Sequence, residues 1–209
     1  MKRVIIVGAG GFGREVFCWA KDHPDYGSAW VIAGFLDDNP RALEGFNYEV
    51  PVLGPINDHQ PTANELFLCG IGAPAVKRAA CQPLIDRGGV FLTLVHPSVI
   101  MGQNIQLGQG VVLCPGVVLT CNIRVGDLAL INCLSSAGHD ALIGNWATIS
   151  AHCDMTGQTE LGEMAIMGSG ARILPGKTVG PRALVGAGSV VLGNVPADSK
   201  VFGNPARAF

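Results

Sequence analysis

His139 followed at once by Asp140 is the pair in this sequence best suited to moving a proton. An imidazole titrates near neutrality and can take a proton from an attacking nucleophile, and an adjacent carboxylate can orient the ring or hold the useful tautomer. A second group of residues points to a different chemistry. Gly8-Ala9-Gly10-Gly11-Phe12-Gly13 follows the apolar run Val4–Val7 and fits GxGxxG, with Asp37-Asp38 about two dozen residues after the last glycine. Glycines there let a diphosphate approach backbone N–H groups at a helix amino terminus, and a carboxylate ending the second strand can bond ribose hydroxyls. The pattern specifies a nucleotide diphosphate rather than NAD, because about 90 residues are too few for two full mononucleotide halves and no nicotinamide subsite is visible.

The remaining histidines carry less. His152 is off the inward-facing positions of the repeat described below and reads equally as a substrate contact or a surface turn, and the role of Asp154 is open. His96 precedes Pro97 and marks a turn; His23 and His59 lie among turn residues and read as surface. His139 and His152 are thirteen apart with no partner at short spacing, which argues against zinc, and no metal is expected. The seven cysteines are odd in number and scattered without CxxC, as buried free thiols in a reducing cytoplasm would be. Those inside the repeat, Cys114, Cys121 and Cys133, read as small apolar filler.

The elements that must position these groups fall into two blocks, residues 1–92 and 93–209. In the first, Val4–Val7, Val31–Leu36 and Leu66–Cys69 read as strands, with helices over Arg14–Lys21 and about Pro74–Asp86. Strand alternating with helix predicts a small Rossmann-like parallel α/β sheet. In the second, every sixth residue from Leu107 to Val191 is apolar, the position four further on is often small (Ala129, Ser135, Ala141, Ala147), and the position after the aliphatic is often glycine (Gly126, Gly138, Gly144). A period of six fits neither a helix nor a lone strand but short strands joined by identical turns, which is a parallel β-helix. Three hexads make a coil, so the stretch predicts five coils stacked at roughly 4.8 Å, with glycine relieving each turn.

Charge and hydropathy exclude other classes. A net charge of −2 argues against a nucleic-acid binder. Gly88 to Ile123 lacks Asp, Glu, Lys and Arg, yet its apolar residues obey the period and its turns hold Gly, Pro, Gln and Asn, so no membrane span is expected. The amino terminus runs straight into glycines and reads as a first strand rather than a signal peptide.

The hexapeptide stretch resembles the left-handed β-helix acyltransferases, and the resemblance supplies the hand of the coil. GAGGFGREV and FLDD ahead of the repeat, Ser135-Ser136-Ala137-Gly138-His139-Asp140 within it and Val201-Phe202-Gly203-Asn204-Pro205-Ala206-Arg207 at its end narrow this to the sugar acyltransferases of the sialic-acid and bacillosamine type. What the resemblance implies is an acetyl-CoA-dependent N-acetyltransferase acting on the amine of a UDP-, dTDP- or GDP-linked sugar, with His139 as general base beside Asp140 and direct attack on the thioester. It implies contacts to the nucleotide sugar from Gly10, Gly11, Gly13, Asp37, Asp38 and Gly72. CoA, as co-substrate, would lie between two subunits of a homotrimer against Gly157, Gly168, Gly186, Ala187 and Arg207, with backbone N–H groups as donors. This sequence has Ala73-Pro74 after Gly72, where the family often has Asn. An O-acetyltransferase on a sugar hydroxyl and a non-catalytic sugar-nucleotide-binding scaffold are the alternatives.

Overall fold

The computed structural model describes all 209 residues, which divide into two compact units, Met1–Leu94 and Val95–Phe209. In the first, β1 (Lys2–Val7), β2 (Trp30–Leu36), β3 (Val52–Gly54) and β4 (Glu65–Cys69) form a parallel sheet in the order β3-β2-β1-β4. The all-apolar run Val4–Val7 occupies β1 because that strand has a neighbour on each side and is covered on both faces. Helices α1 (Gly11–Lys21) and α2 (Pro74–Asp86) supply the cover, α2 opening on a proline whose missing N–H costs nothing in the first turn. Register pairs Val7 with both Leu36 and Cys69. The segments leaving the carboxyl ends of β1, β2 and β4 therefore emerge side by side, where open α/β sheets hold ligands.

Three features of this unit differ from the sequence reading. Strand β3 was not expected, because a three-residue strand ending in glycine has no periodicity to detect. His59 is not plain surface: its Nε2 lies 3.1 Å from Oε2 of the buried Glu65. His23 is likewise largely covered, packing 5.6 Å from the Trp30 ring.

Beneath the loop after β4, Lys77 of α2 is 1 % exposed, near Cys69 and Cys81, whose sulfurs are 3.6 Å apart. Burial pushes the Lys77 amine down to about 8, with the neighbouring thiols opposing the shift. A lysine whose folded value lies below its ordinary 10.5 releases its proton earlier when folded, so stability rises with pH between about 8 and 10.5. The contribution is about 3 kcal/mol. Denaturant unfolding at pH 7.5 and 10 is expected to show this gain in the wild type and its loss in Lys77→Met, which removes the titrating amine while keeping the stem.

The second unit is the left-handed parallel β-helix. Its strands up to Val191 are two residues long and pair in steps of 18, as in Leu119 with Ala137 and Ala137 with Met155. They build three faces, of five, six and eight strands. The inward aliphatics from Leu113 to Val191 are at most 3 % exposed, and the small residues beside them, such as Ala147, Cys153 and Ala165, are equally buried. The first coil is more open: Met101 is exposed and Leu107 half-buried. The sequence reading of the cysteines holds for Cys114 and Cys153, whereas Cys121 and Cys133 are half-buried on the outer wall.

Glycine does not play the part expected of it. The left-handed turn residue is three positions after the aliphatic, and it is often not glycine: Asn104, Asn122, Leu128, Asp140 and His152 all have φ between 54° and 60°. The glycine directly after the aliphatic has an ordinary φ. It is needed because the next coil passes too close: a Cβ on Gly138 would lie 2.6 Å from the backbone N of Gly157, and one on Gly168 as close to that of Ala187. Uniform coil spacing, not turn strain, selects it.

Candidate active site

The strand Ser136–Ala137 delivers the chain through Gly138 to a corner of the prism, where His139 and Asp140 follow. Ala137 points inward, so His139, two places on, faces out. The corner is fixed from both neighbouring coils: Asp140 N–H donates to the Cys121 carbonyl at 3.1 Å and Gln158 N–H donates to the His139 carbonyl at 2.8 Å. Nδ1 of His139 lies 2.8 Å from Oδ2 of Asp140. That carboxyl is held below the usual range chiefly by His139; burial opposes this, and the Asn122 side chain adds a smaller lowering. A carboxylate accepts only, so Nδ1 carries the proton in this pair and Nε2 is the basic nitrogen. The ring lies over Gly157 of the next coil, and its side chain remains 58 % exposed.

Beside this pair runs a groove of about 370 Å³ lined by Asn104, Gln106, Asn122, Arg124, Asp140 and Leu142. Asn104 and Asn122 were missed in the sequence; both precede Asp140 by multiples of 18, the coil repeat, and that spacing is the signal that finds them. Asp154, left open before, accepts a 2.7 Å hydrogen bond from the Ser136 hydroxyl one coil away. His152 is exposed at the turn of a different corner and does not join His139. No three His, Cys, Asp or Glu side chains gather as metal ligands would.

In the first unit a cleft of about 600 Å³ is lined by Gly10, Gly11, Asp37, Asp38 and Gly72, together with Phe12, Ile56 and Val76. Gly13 is the exception among the expected contacts. It is buried, and a Cβ there would strike the Gly8 carbonyl, so it serves the packing of α1 against the loop after β1. Asp37 also has a role beyond the one expected: Oδ2 accepts the Ala9 N–H at 2.8 Å and Oδ1 accepts the Asn39 N–H at 2.9 Å, bracing the glycine loop. Asp38 uses one oxygen on the Ile56 N–H at 3.1 Å and is otherwise exposed. Ile56, from the segment without periodicity, had no sequence signal.

Residues 3–84 match the PglD N-terminal domain. Over 97% of its length the chain is 27% identical to the GDP-perosamine N-acetyltransferase of Escherichia coli O157:H7, covering 94% of that protein. The acetyltransferase domain of PglB from Neisseria gonorrhoeae, solved with acetyl coenzyme A, superposes with a TM-score of 0.89 at 27% identity, over 100% of this chain and 99% of that one. PerB from Caulobacter crescentus, solved with CoA and GDP-perosamine, gives the same score and identity over 100% and 98%. The protein is an acyltransferase built on a hexapeptide repeat.

The remaining expected positions of this acyltransferase lie on two corners of the prism. Gly157 sits beneath His139, whereas Gly168, Gly186 and Ala187 stack at another corner. The N–H groups of Gly168 and Gly186 donate to the Val185 and Val201 carbonyls at 2.8 Å, so these two amides, expected as donors to CoA, are already engaged between coils. Arg207 is exposed on the final strand, Arg207–Ala208. No helix of the acyltransferase is long and apolar enough to cross a membrane.

Proposed function

We propose that the acyltransferase moves an acetyl group from acetyl-CoA to the amine of a nucleotide-linked amino sugar, with His139 as general base. The observation that carries this reading is the His139–Asp140 pair: the carboxylate fixes the proton on Nδ1 and leaves an exposed Nε2 to accept one. The neutral amine attacks the thioester carbonyl carbon, and its N–H proton passes to Nε2. The oxyanion collapses, the C–S bond breaks, and the imidazolium returns the proton to the departing thiolate, so no acyl-enzyme forms. The glycine-lined cleft in the first unit is the place for the nucleotide, with loop N–H groups and the amino terminus of α1 toward the diphosphate and Asp38 toward the ribose or base. GDP and UDP are the first nucleotides to try, given the GDP-perosamine and UDP-N-acetylbacillosamine enzymes among the relatives.

A homotrimer supports this assignment physically. Gly157 with His139 lies on one corner, and Gly168, Gly186 and Ala187 on another, and in a trimer a neighbouring copy would bring its own corner to the same CoA molecule. The seven free thiols suit a reducing, cytoplasmic setting.

Free thiol released from acetyl-CoA, measured against UDP-, dTDP- and GDP-linked amino sugars and their hydroxy counterparts, tests the reading. Turnover is expected on one amino sugar and not on its matched hydroxy sugar. Turnover on the hydroxy sugar alone would make it an O-acetyltransferase, and binding without turnover a scaffold.

A further inference from the structure

The left-handed turns at one corner of the prism place Asn104, Asn122 and Asp140 in a column. Their φ angles are 59°, 55° and 60°, and each is 18 residues from the next, so their backbones repeat from coil to coil and their side chains stack at the coil spacing. Stacked side-chain amides form ladders in which each oxygen accepts from the amide beside it. Here Asn104 Nδ2 donates to Asn122 Oδ1 at 2.9 Å. That bond fixes the orientation of the Asn122 amide, because its oxygen is taken on one side and its NH2 is left for the other. On that other side, one coil on, stands Asp140, which lines the same groove and whose carboxylate can only accept; the Asn122 amide favours its ionised form. The far oxygen of Asp140, Oδ2, holds Nδ1 of His139 at 2.8 Å. The four side chains thus line up in one direction, with hydrogen bonds at both ends of the row and the Asn122 NH2 turned toward the Asp140 carboxylate between them.

We propose that Asn122, backed by Asn104, is a positioning residue for proton transfer: it pins the Asp140 carboxylate, which in turn fixes the orientation and tautomer of the His139 ring. The proposal rests on the reading of His139 as the base. It accounts for two asparagines in succession at a turn position where Leu128, Trp146 and Gln158 show that many side chains are accommodated. The pair at the end of the ladder is largely in solvent, and an exposed carboxylate with a single partner rotates freely; a second donor removes that freedom. The charged and titratable groups facing the pair are few: Arg124 lines the same groove, and Cys121 lies in the adjoining coil on one side of His139.

The test compares Asn122→Ala and Asn122→Asp with the wild type and with His139→Ala. Asn122→Ala is expected to lower kcat about tenfold with KM unchanged, the size of effect seen when an orienting partner is removed, and to lower Tm slightly because alanine is less favoured than asparagine at this left-handed turn. Asn122→Asp sets a second carboxylate against Asp140, which favours the imidazolium and moves the acid limb of kcat upward by about half to one pH unit. The 15N shifts of the His139 ring in Asn122→Ala are expected to show a mixture of tautomers in place of one. Wild-type kcat, pH profile and ring shifts in both Asn122 variants would overturn the proposal. Full activity in His139→Ala would instead overturn the base assignment, and the ring shifts would still decide whether the ladder orients the imidazole.

Discussion

His139→Ala is expected to lower kcat by roughly 10²–10⁴, the range for loss of a positioned general base. The size of the effect follows from what else the site contains. Around the corner, the Cys121 and Gln158 contacts to this turn are made by backbone atoms and survive the substitution, so no other group is displaced. Asp140 is too weak a base to replace the imidazole: losing His139 removes the main cause of its lowered value, but the carboxyl then only returns toward the ordinary carboxylate range, well below that of a histidine. The side chain is 58 % exposed and fills no part of the core, so the change in unfolding free energy is expected to stay within about 0.5 kcal/mol. KM for the sugar is expected to hold, because the nucleotide cleft is built from the first unit alone. Steady-state thiol release with a stability curve measured beside it checks both parts. A fall of less than about fivefold would mean that the amine arrives already able to attack, and that the imidazole is not its base.

Gly157→Ala is expected to produce nearly as large a loss by moving the base without touching it. A Cβ on Gly157 would lie 2.7 and 2.8 Å from Cε1 and Cδ2 of His139, closer than carbon atoms approach. The obstacle is the far end of an exposed side chain, so the ring can swing away at little cost to the fold. It cannot do so and keep both its bond to Asp140 and its place. A displacement on the order of 1 Å at a reacting group costs about 10² in rate. Gly138→Ala is the control with the opposite signature. Its added methyl meets the backbone N of Gly157 at 2.6 Å and Thr156 C at 2.7 Å, which cannot swing aside, so it is expected to destabilise the solenoid. Unequal effects on activity and Tm in the two variants are the check; a Gly157→Ala enzyme with wild-type kcat would show that the ring needs no support from that side.

The solenoid was readable because its physics is one-dimensional. A side chain that points inward does so again six residues later, and Ile143, Ile149 and Met155 announce this without reference to anything distant. The function of the glycines was misread for the complementary reason. Sequence shows that Gly138 follows Ala137, but the atom that forbids a side chain there belongs to Gly157, and its distance is set by stacking. In the first unit, the central strand and α2 carried clear patterns, whereas α1 begins at Gly11 and not Arg14 because the fingerprint glycines themselves enter the helix. The roles of Asp37 and Gly13 were partly hidden in the same way: GxGxxG suggests a ligand, but here the buried glycine meets another loop, and the carboxylate braces the ligand's cradle. The ladder leading to His139 lies between these cases, being invisible at a period of six and plain at eighteen.

The strand Arg207–Ala208 runs antiparallel to Lys200–Phe202, whereas every earlier pairing in the solenoid is parallel. A stack of identical parallel coils has no internal reason to stop, and its last rung offers a hydrogen-bonding edge to any chain of like repeat. Reversing direction there gives the edge a pattern that an incoming parallel coil does not match. The outer strand on that face therefore presents alternating close and wide hydrogen-bonding pairs, unlike the evenly spaced, slanted bonds of the coils beneath it.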